Sequence, residues 1–223
     1  MSERIVVIGG NAAGMSAASR AKRLNPDLQI TVIEQSYFIS YSICGLPYYI
    51  SKEVQQHDSL TTFNPETLRI ERGITALTRT RVDEIYAGRG RLLCVKMDGG
   101  RESEMAYDRV VVATGYKPKL PRIEGRDLDN VFTVSRLEDG IRIREKIEMQ
   151  SLHRVAVVGG GYIGLMMVHA LKTMGLNVVL QNVGYKRAPI HLETVYVFDL
   201  IRFPQNHSRF LNQLRHLESL DCR

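Results

Sequence analysis

The chain has 223 residues, 44% of them hydrophobic, and a formal net charge of +6, which gives enough apolar material for a packed core in one large domain or two small ones. No apolar run reaches the roughly 18 residues of a membrane span, and the start, MSERIVVIGG, lacks a basic segment followed by a long apolar stretch, so a cytoplasmic protein without a membrane segment is expected. The basic residues are interspersed with acidic ones and accompany no recognition motif, which argues against a nucleic-acid partner and for a small anionic ligand.

From the N-terminus, RIVVIGG is a β-type apolar run and NAAGMSAASRAKRL has the small residues and spacing of a helix. The tripeptide NPD ends that helix, and LQITVIEQ makes a second strand ending near Glu34. Strand, glycine-rich turn, helix and strand form the layout of a dinucleotide-binding unit. Gly9 permits the tight turn, Gly10 and Ala13 lie in it, and Gly14 allows the helix to approach the strand. The helix N-terminus offers free N–H groups to a pyrophosphate, and Glu34, about 20 residues beyond Gly14, can accept hydrogen bonds from a ribose diol. The middle position of GxGxxG is Asn11, so on this motif alone an ordinary α/β turn without a ligand stays open.

The segment SYSICGLPYYIS, from Ser40 to Ser51, holds Cys44 among small, apolar and aromatic residues. The three cysteines, Cys44, Cys94 and Cys222, are widely spaced and form no CxxC, so neither a disulfide framework nor a metal site is expected. By itself Cys44 reads as a buried filler, half of a disulfide or a lone redox thiol. The stretch from Asp58 to Asp108 reads as a short helix followed by a β-meander, with Cys94 an inert buried residue in the alternating run RLLCVKM. Next, SEMAYDRVVVATGYKPKLPRIEG combines an acid, an apolar strand, Ala113-Thr114-Gly115 and a proline-rich exit. A second strand–turn–helix–strand copy comes after it, with a full GxGxxG at Gly159, Gly161 and Gly164. Its residue matching Glu34 is Asn182, which supplies no charged acceptor. Lys186 and Arg187 beyond it suit either a 2′-phosphate or a solvated surface.

The four segments GGNAAGMSAASRAKRL, SYSICGLPYYIS, YDRVVVATGYKPKLP and VVGGGYIGL, in this order and spacing, resemble the pyridine nucleotide-disulfide oxidoreductase family of flavoproteins over residues 4 to about 180. The resemblance implies an α/β fold with a Rossmann-like, three-layer ββα-type FAD-binding domain carrying a β-meander over residues 1–148. It also implies the beginning of a second Rossmann-like, NAD(P)-binding unit over 149–183, followed by a divergent tail over 184–223. FAD and NAD(P)H are the implied cofactors. Gly9, Gly10, Ala13, Gly14, Glu34, Thr114 and Gly115 fall to FAD, and Gly159, Gly161 and Gly164 to the nicotinamide nucleotide.

No second cysteine follows Cys44 in its segment, which is similar to the single-cysteine branch of coenzyme A disulfide reductases, NADH oxidases, NADH peroxidases and persulfide reductases. In that branch the cysteine, here Cys44, is catalytic and cycles between thiolate and a mixed disulfide or sulfenic acid. The oxidases and peroxidases carry a histidine where this chain has Ala12. Arg20 and Arg23, with Lys22, stand where the coenzyme A reductases meet their ligand's phosphates, although a solvated helix C-terminus accounts for them equally. Ser40 matches a serine four positions before the cysteine, while Ile43 replaces a common asparagine. The implied substrate is a low-molecular-weight disulfide or persulfide of the coenzyme A type.

Family members are longer. Their late Gly-Asp flavin segment and C-terminal dimerisation domain have no counterpart here, Met166 replaces a glutamate, and the resemblance ends after Asn182. A truncated chain is the expectation. It is either a reductase completed by a homodimer or a partner chain, or a non-catalytic nucleotide-binding remnant, with NADH oxidase-type activity a further alternative. Exposed strand edges would favour association.

Overall fold

A computed structural model of the chain describes residues 2–118 and 125–181 and the backbone of 196–199. In chain order the first elements are β1 (Arg4–Ile8), α1 (Ala12–Leu24), β2 (Gln29–Ile33), α2 (Leu46–Ile50) and α3 (Pro65–Arg72). Then come β3 (Ile74–Leu77), β4 (Thr80–Tyr86), β5 (Arg91–Lys96), β6 (Glu102–Ala106), β7 (Arg109–Val112) and β8 (Val131–Thr133). The last are α4 (Leu137–Gln150), β9 (Arg154–Val158), α5 (Tyr162–Thr173), β10 (Asn177–Gln181) and β11 (Tyr196–Asp199). These elements form two compact units. One is built from Met1–Ser42 and Leu60–Tyr116, the other from Ile43–Ser59 and Lys117–Arg223.

The first unit has three layers. Its parallel sheet runs in the order β3-β2-β1-β7, with Ile8 level with both Ile33 and Val112. β1 and β2 are nearly all apolar because both faces of the sheet are covered. On one face Val7, Ile30, Val32 and Ile74 pack with Met15 and Ala18 of α1 and Leu68 of α3. On the other, Val6, Ile8 and Ile33 pack against Leu92 and Cys94 of the antiparallel meander β4-β5-β6. Cys94 is 2% exposed, and burial raises its thiol above the ordinary range.

Local chemistry sets the ends of these elements. Past α1, Lys22 Nζ donates to the carbonyls of Pro26 and Leu28, each at 2.7 Å, so the break at NPD is tied by a cation at the negative end of the helix. In α3, Asn64 Oδ1 accepts from Thr67 N at 2.9 Å and Thr67 Oγ1 accepts from Asn64 N at 3.0 Å, a reciprocal cap ahead of Pro65. Asp108 accepts from Arg4 N at 2.7 Å and from its guanidinium at 2.8 Å, joining the starts of β1 and β7. The meander is shorter than its sequence suggests. Ile74–Leu77, which follows α3 directly, joins the parallel sheet beside β2, because a four-residue apolar run fits a parallel strand as well as a hairpin strand.

The second unit carries a sheet in the order β10-β9-β11-β8. β9 pairs in parallel with β10 and antiparallel with β11, which also pairs antiparallel with β8. β9 is apolar and buried from Val155 to Val158. Helix α4 is capped by Asp139, whose Oδ2 accepts from Ser135 N at 2.9 Å and Arg136 N at 3.0 Å. Among the described residues no helix is long and apolar enough to cross a membrane.

Candidate functional site

In the first unit the glycine-rich turn, the end of β2 and the start of the Ala113-Thr114-Gly115 segment meet. Gly9 has φ +112°, and a Cβ there would stand 2.1 Å from the Ala113 carbonyl oxygen. A Cβ on Gly14 would stand 1.9 Å from the Gly9 oxygen, and one on Gly10 would stand 2.8 Å from Ile39. Only glycine allows these approaches, so all three are required by the turn's own packing before any ligand is considered. Gly9 N donates to Ile33 O at 2.8 Å. Glu34 closes the turn: its carboxylate accepts from Gly10 N at 2.7 Å and from Ser36 N at 2.9 Å. These two bonds hold the carboxylate at the strand end and leave it lone pairs for further donors.

Helix α1 begins at Ala12 with Asn11 at its N-cap, without a side-chain cap and without an acid in the first turn. Asn11 Oδ1 is buried and has no hydrogen-bond partner among the described residues. This differs from α3 and α4, whose starts are capped by Asn64 and Asp139. The first turn of α1, including Ala13, therefore keeps N–H groups and a partial positive charge for an anion. Thr114 and Gly115 are exposed, and Gly115 has φ +68° with open space around it. These features fit the pyrophosphate and ribose of a dinucleotide.

The second turn repeats the first. Gly159 has φ +116° and donates to Gln181 O at 2.9 Å, Gly161 is the uncapped N-cap of α5, and Gly164 is buried in the helix. Val158 is level with Gln181 as Ile8 is with Ile33, and in the sequence Asn182 follows Gln181 as Glu34 follows Ile33. Asn182, Lys186, Arg187 and Cys222 lie outside the described residues.

The other candidate residues are dispersed. Arg20 and Arg23 are exposed on the last turns of α1 and have no ion pair among the described residues, whereas Lys22 is committed to the two carbonyls noted above. Ser40 has φ +51°, and its backbone donates to Gly10 O at 2.8 Å and accepts from Thr62 N at 2.7 Å. A non-glycine residue in this left-handed region is strained and is held there by those two bonds. Its backbone role was not readable from the spacing of a serine before a cysteine.

Cys44 belongs to the second unit. It is exposed and free, on a one-turn 3-10 segment, Ile43–Gly45, that leads directly into α2. The buried-filler reading of this cysteine fails on that exposure. Helix α2 packs on α4 at Gly140, where a Cβ would stand 2.7 Å from Leu46 Cδ2. Sequence reasoning missed Arg144 of α4 altogether: its guanidinium donates to the carbonyls of Tyr49, Val54 and Gln55, well separated from it in sequence. No group of three or more His, Cys, Asp or Glu residues that could hold a metal ion occurs among the described residues.

The family model for pyridine nucleotide-disulphide oxidoreductases matches residues 3–187. The chain belongs to this family. Membership implies FAD and NAD(P)H as cofactors, for which the two uncapped, glycine-rich helix starts provide fitting cradles. The chain is 40% identical over 190 residues to an NADH oxidase of Methanocaldococcus jannaschii, a match covering 85% of this chain and 42% of the relative. It is 39% identical over 180 residues to an NAD(P)H coenzyme A polysulfide/persulfide reductase of Pyrococcus horikoshii, covering 81% of this chain and 39% of the relative. The solved NAD-dependent persulfide reductase from A. fulgidus superposes with a TM-score of 0.75 at 38% identity, covering 79% of this chain and 33% of that one. The chain thus spans about two fifths of the length of the curated relatives, at 42% and 39%.

Proposed function

We propose that the chain acts as an FAD-dependent NAD(P)H oxidoreductase that reduces a low-molecular-weight disulfide or persulfide of the coenzyme A type through a single redox cysteine, Cys44. The observation that carries this reading is the exposed, unpaired Cys44 thiol on its turn in a chain that also holds two uncapped glycine-rich turns. A thiol that can meet a soluble disulfide and has no partner among the described residues is suited to an intermolecular exchange.

Gly9, Gly10, Ala13 and Gly14 form the pyrophosphate cradle for FAD, Glu34 takes the adenosine ribose, and Thr114 and Gly115 border the same turn. Gly159, Gly161 and Gly164 form the cradle for NAD(P)H. Arg20 and Arg23, exposed and without an ion pair among the described residues, are the cations for the substrate's phosphates, and Ser40 anchors the segment entering the cysteine turn. Bound FAD would supply the electron pair, received as hydride from NAD(P)H, that the disulfide finally takes up. The residues of this chain handle the sulfur. The Cys44 thiolate attacks one sulfur of RS–SR, forming Cys44–S–S–R and releasing RS⁻. Two electrons and one proton then cleave that bond to RSH and the Cys44 thiolate. Such a thiol must stay reduced between turnovers, which places the chain in a reducing compartment, the cytoplasm.

Anaerobic incubation with FAD, NADH and coenzyme A disulfide tests this, with the released thiol titrated against the NADH consumed. Both thiols should appear for each NADH, and Cys44→Ser should release none. NADH consumption that needs oxygen and ignores the disulfide would replace the reading with oxidase activity.

A further inference from the structure

Cys44 has no side-chain hydrogen bond or disulfide among the described residues, so whatever holds the next turn of chain decides where its sulfur stands. Its 3-10 turn ends at Gly45 and α2 starts at Leu46, which makes α2 the lever on which the thiol sits. A five-residue helix is not stable by itself. It is held from α4. One guanidinium nitrogen of Arg144 donates to Tyr49 O at 3.1 Å, Val54 O at 3.2 Å and Gln55 O at 3.0 Å. Its Nε donates to Glu148 at 3.2 Å, and Glu148 also pairs with Lys52 at 3.1 Å. The guanidinium carbon stands 4.6 Å from the centroid of the Tyr49 ring, and the side chain is 13% exposed. Below it, Leu46 fills the space that Gly140 leaves.

We propose that Arg144 is the positioning residue for Cys44, clasping the carbonyls of Tyr49, Val54 and Gln55 so that α2 and the turn carrying the thiol keep one stance on α4; this rests on the reading of Cys44 as the reactive cysteine. Three converging carbonyls need a cation with several donors. A planar fork that also stacks on an aromatic face and pairs a carboxylate meets all the demands at once. Lysine can meet the charge but not the stacking and the fork together. The role is one of geometry, because Arg144 touches neither the thiol nor any reacting atom among its contacts.

The test uses the full chain, Arg144→Leu and Arg144→Lys, with peptide-resolved mass spectrometry. Two rates are compared for Cys44: exchange with coenzyme A disulfide, which demands an approach geometry, and alkylation by iodoacetamide, which demands only exposure. Labelling of the buried Cys94 reports unfolding of the first unit in the same sample, and amide exchange in β9 that of the second. Arg144→Leu should lower the ratio of the first rate to the second about tenfold, and Arg144→Lys about threefold, with Cys94 still protected. Amide hydrogen exchange over residues 46–55 should quicken in the same order while that of β9 is unchanged. Equal ratios in all three proteins, or unchanged amide protection, overturn the inference. Where Arg144→Leu exposes Cys94 at once, Arg144→Lys alone decides by the same ratio. A wild-type Cys44 that alkylates but never exchanges with the disulfide removes the reading of the cysteine itself, and the positioning role with it.

Discussion

In the first βαβ repeat, β1 is flanked by two parallel strands, β2 and β7, whereas in the second, β9 has β10 in parallel on one side and β11 antiparallel on the other. The turns themselves are the same. Gly9 and Gly159 have φ +112° and +116°, each donates to the last residue of the next strand at 2.8 and 2.9 Å, and each precedes an uncapped helix without an acid in its first turn. The residue just past the second strand differs: Glu34 binds back to Gly10, and the second repeat has Asn182 at the matching position. The turn is therefore a local property of a few residues. The residue past the strand end and the choice of sheet neighbours are encoded separately and can change while the turn persists.

Substitution of the glycines should disturb this shared turn most. In Gly14→Ala the new methyl meets the Gly9 carbonyl oxygen, rigid backbone at 1.9 Å, and the loss should reach about 4 kcal/mol or more, seen as a collapsed thermal midpoint or no folded protein. Gly140→Ala meets only the end of the Leu46 side chain at 2.7 Å, which can turn away, so its cost should stay near 1 kcal/mol. Equal losses in the two variants would show that the turn is not the more tightly constrained place.

The strand-end difference is tested by exchange of residues. Glu34→Gln should weaken FAD binding about tenfold, and Asn182→Glu should strengthen NADH binding by a similar factor, both read by titration. An unchanged NADH affinity in Asn182→Glu would break the equivalence of the two positions.

A weaker effect concerns the first unit alone. The Arg4 guanidinium and backbone N–H hold the Asp108 carboxyl down at about 2, below its usual 3.8. A carboxylate with a depressed folded-state value stabilises the fold above its ordinary range, and that contribution is lost as pH falls toward about 2. Asp108→Asn should therefore lower the thermal midpoint at neutral pH by a small amount, because the pair is exposed, and flatten the acid side of the profile between about pH 4 and about pH 2 by the same amount, so that the two proteins converge near pH 2. A wild-type slope retained in the variant would assign that acid sensitivity elsewhere.

The first βαβ unit was legible in the sequence because its signals are local: an apolar run, a glycine spacing, a break at NPD and an acid at the strand end. The three-layer arrangement followed from the same signals and the family's pattern. Ile74–Leu77 was not separable from the meander, since a short apolar run carries no direction of pairing. Strand β11 lies in the stretch read only as a divergent tail, and its antiparallel place beside β9 depends on partners distant in sequence. Arg144 left no trace because its acceptors are backbone carbonyls, which have no side-chain identity to read. Ser40 was picked for its position before Cys44, yet its described bonds to Gly10 and Thr62 run through its backbone.

Whether the first turn holds FAD is decided by the visible absorption spectrum of the purified chain after incubation with FAD and removal of the excess, with flavin counted after denaturation. A flavin band near one per chain, diminished in Glu34→Gln, is the expected result. A colourless protein that takes up no flavin at any FAD concentration would contradict it.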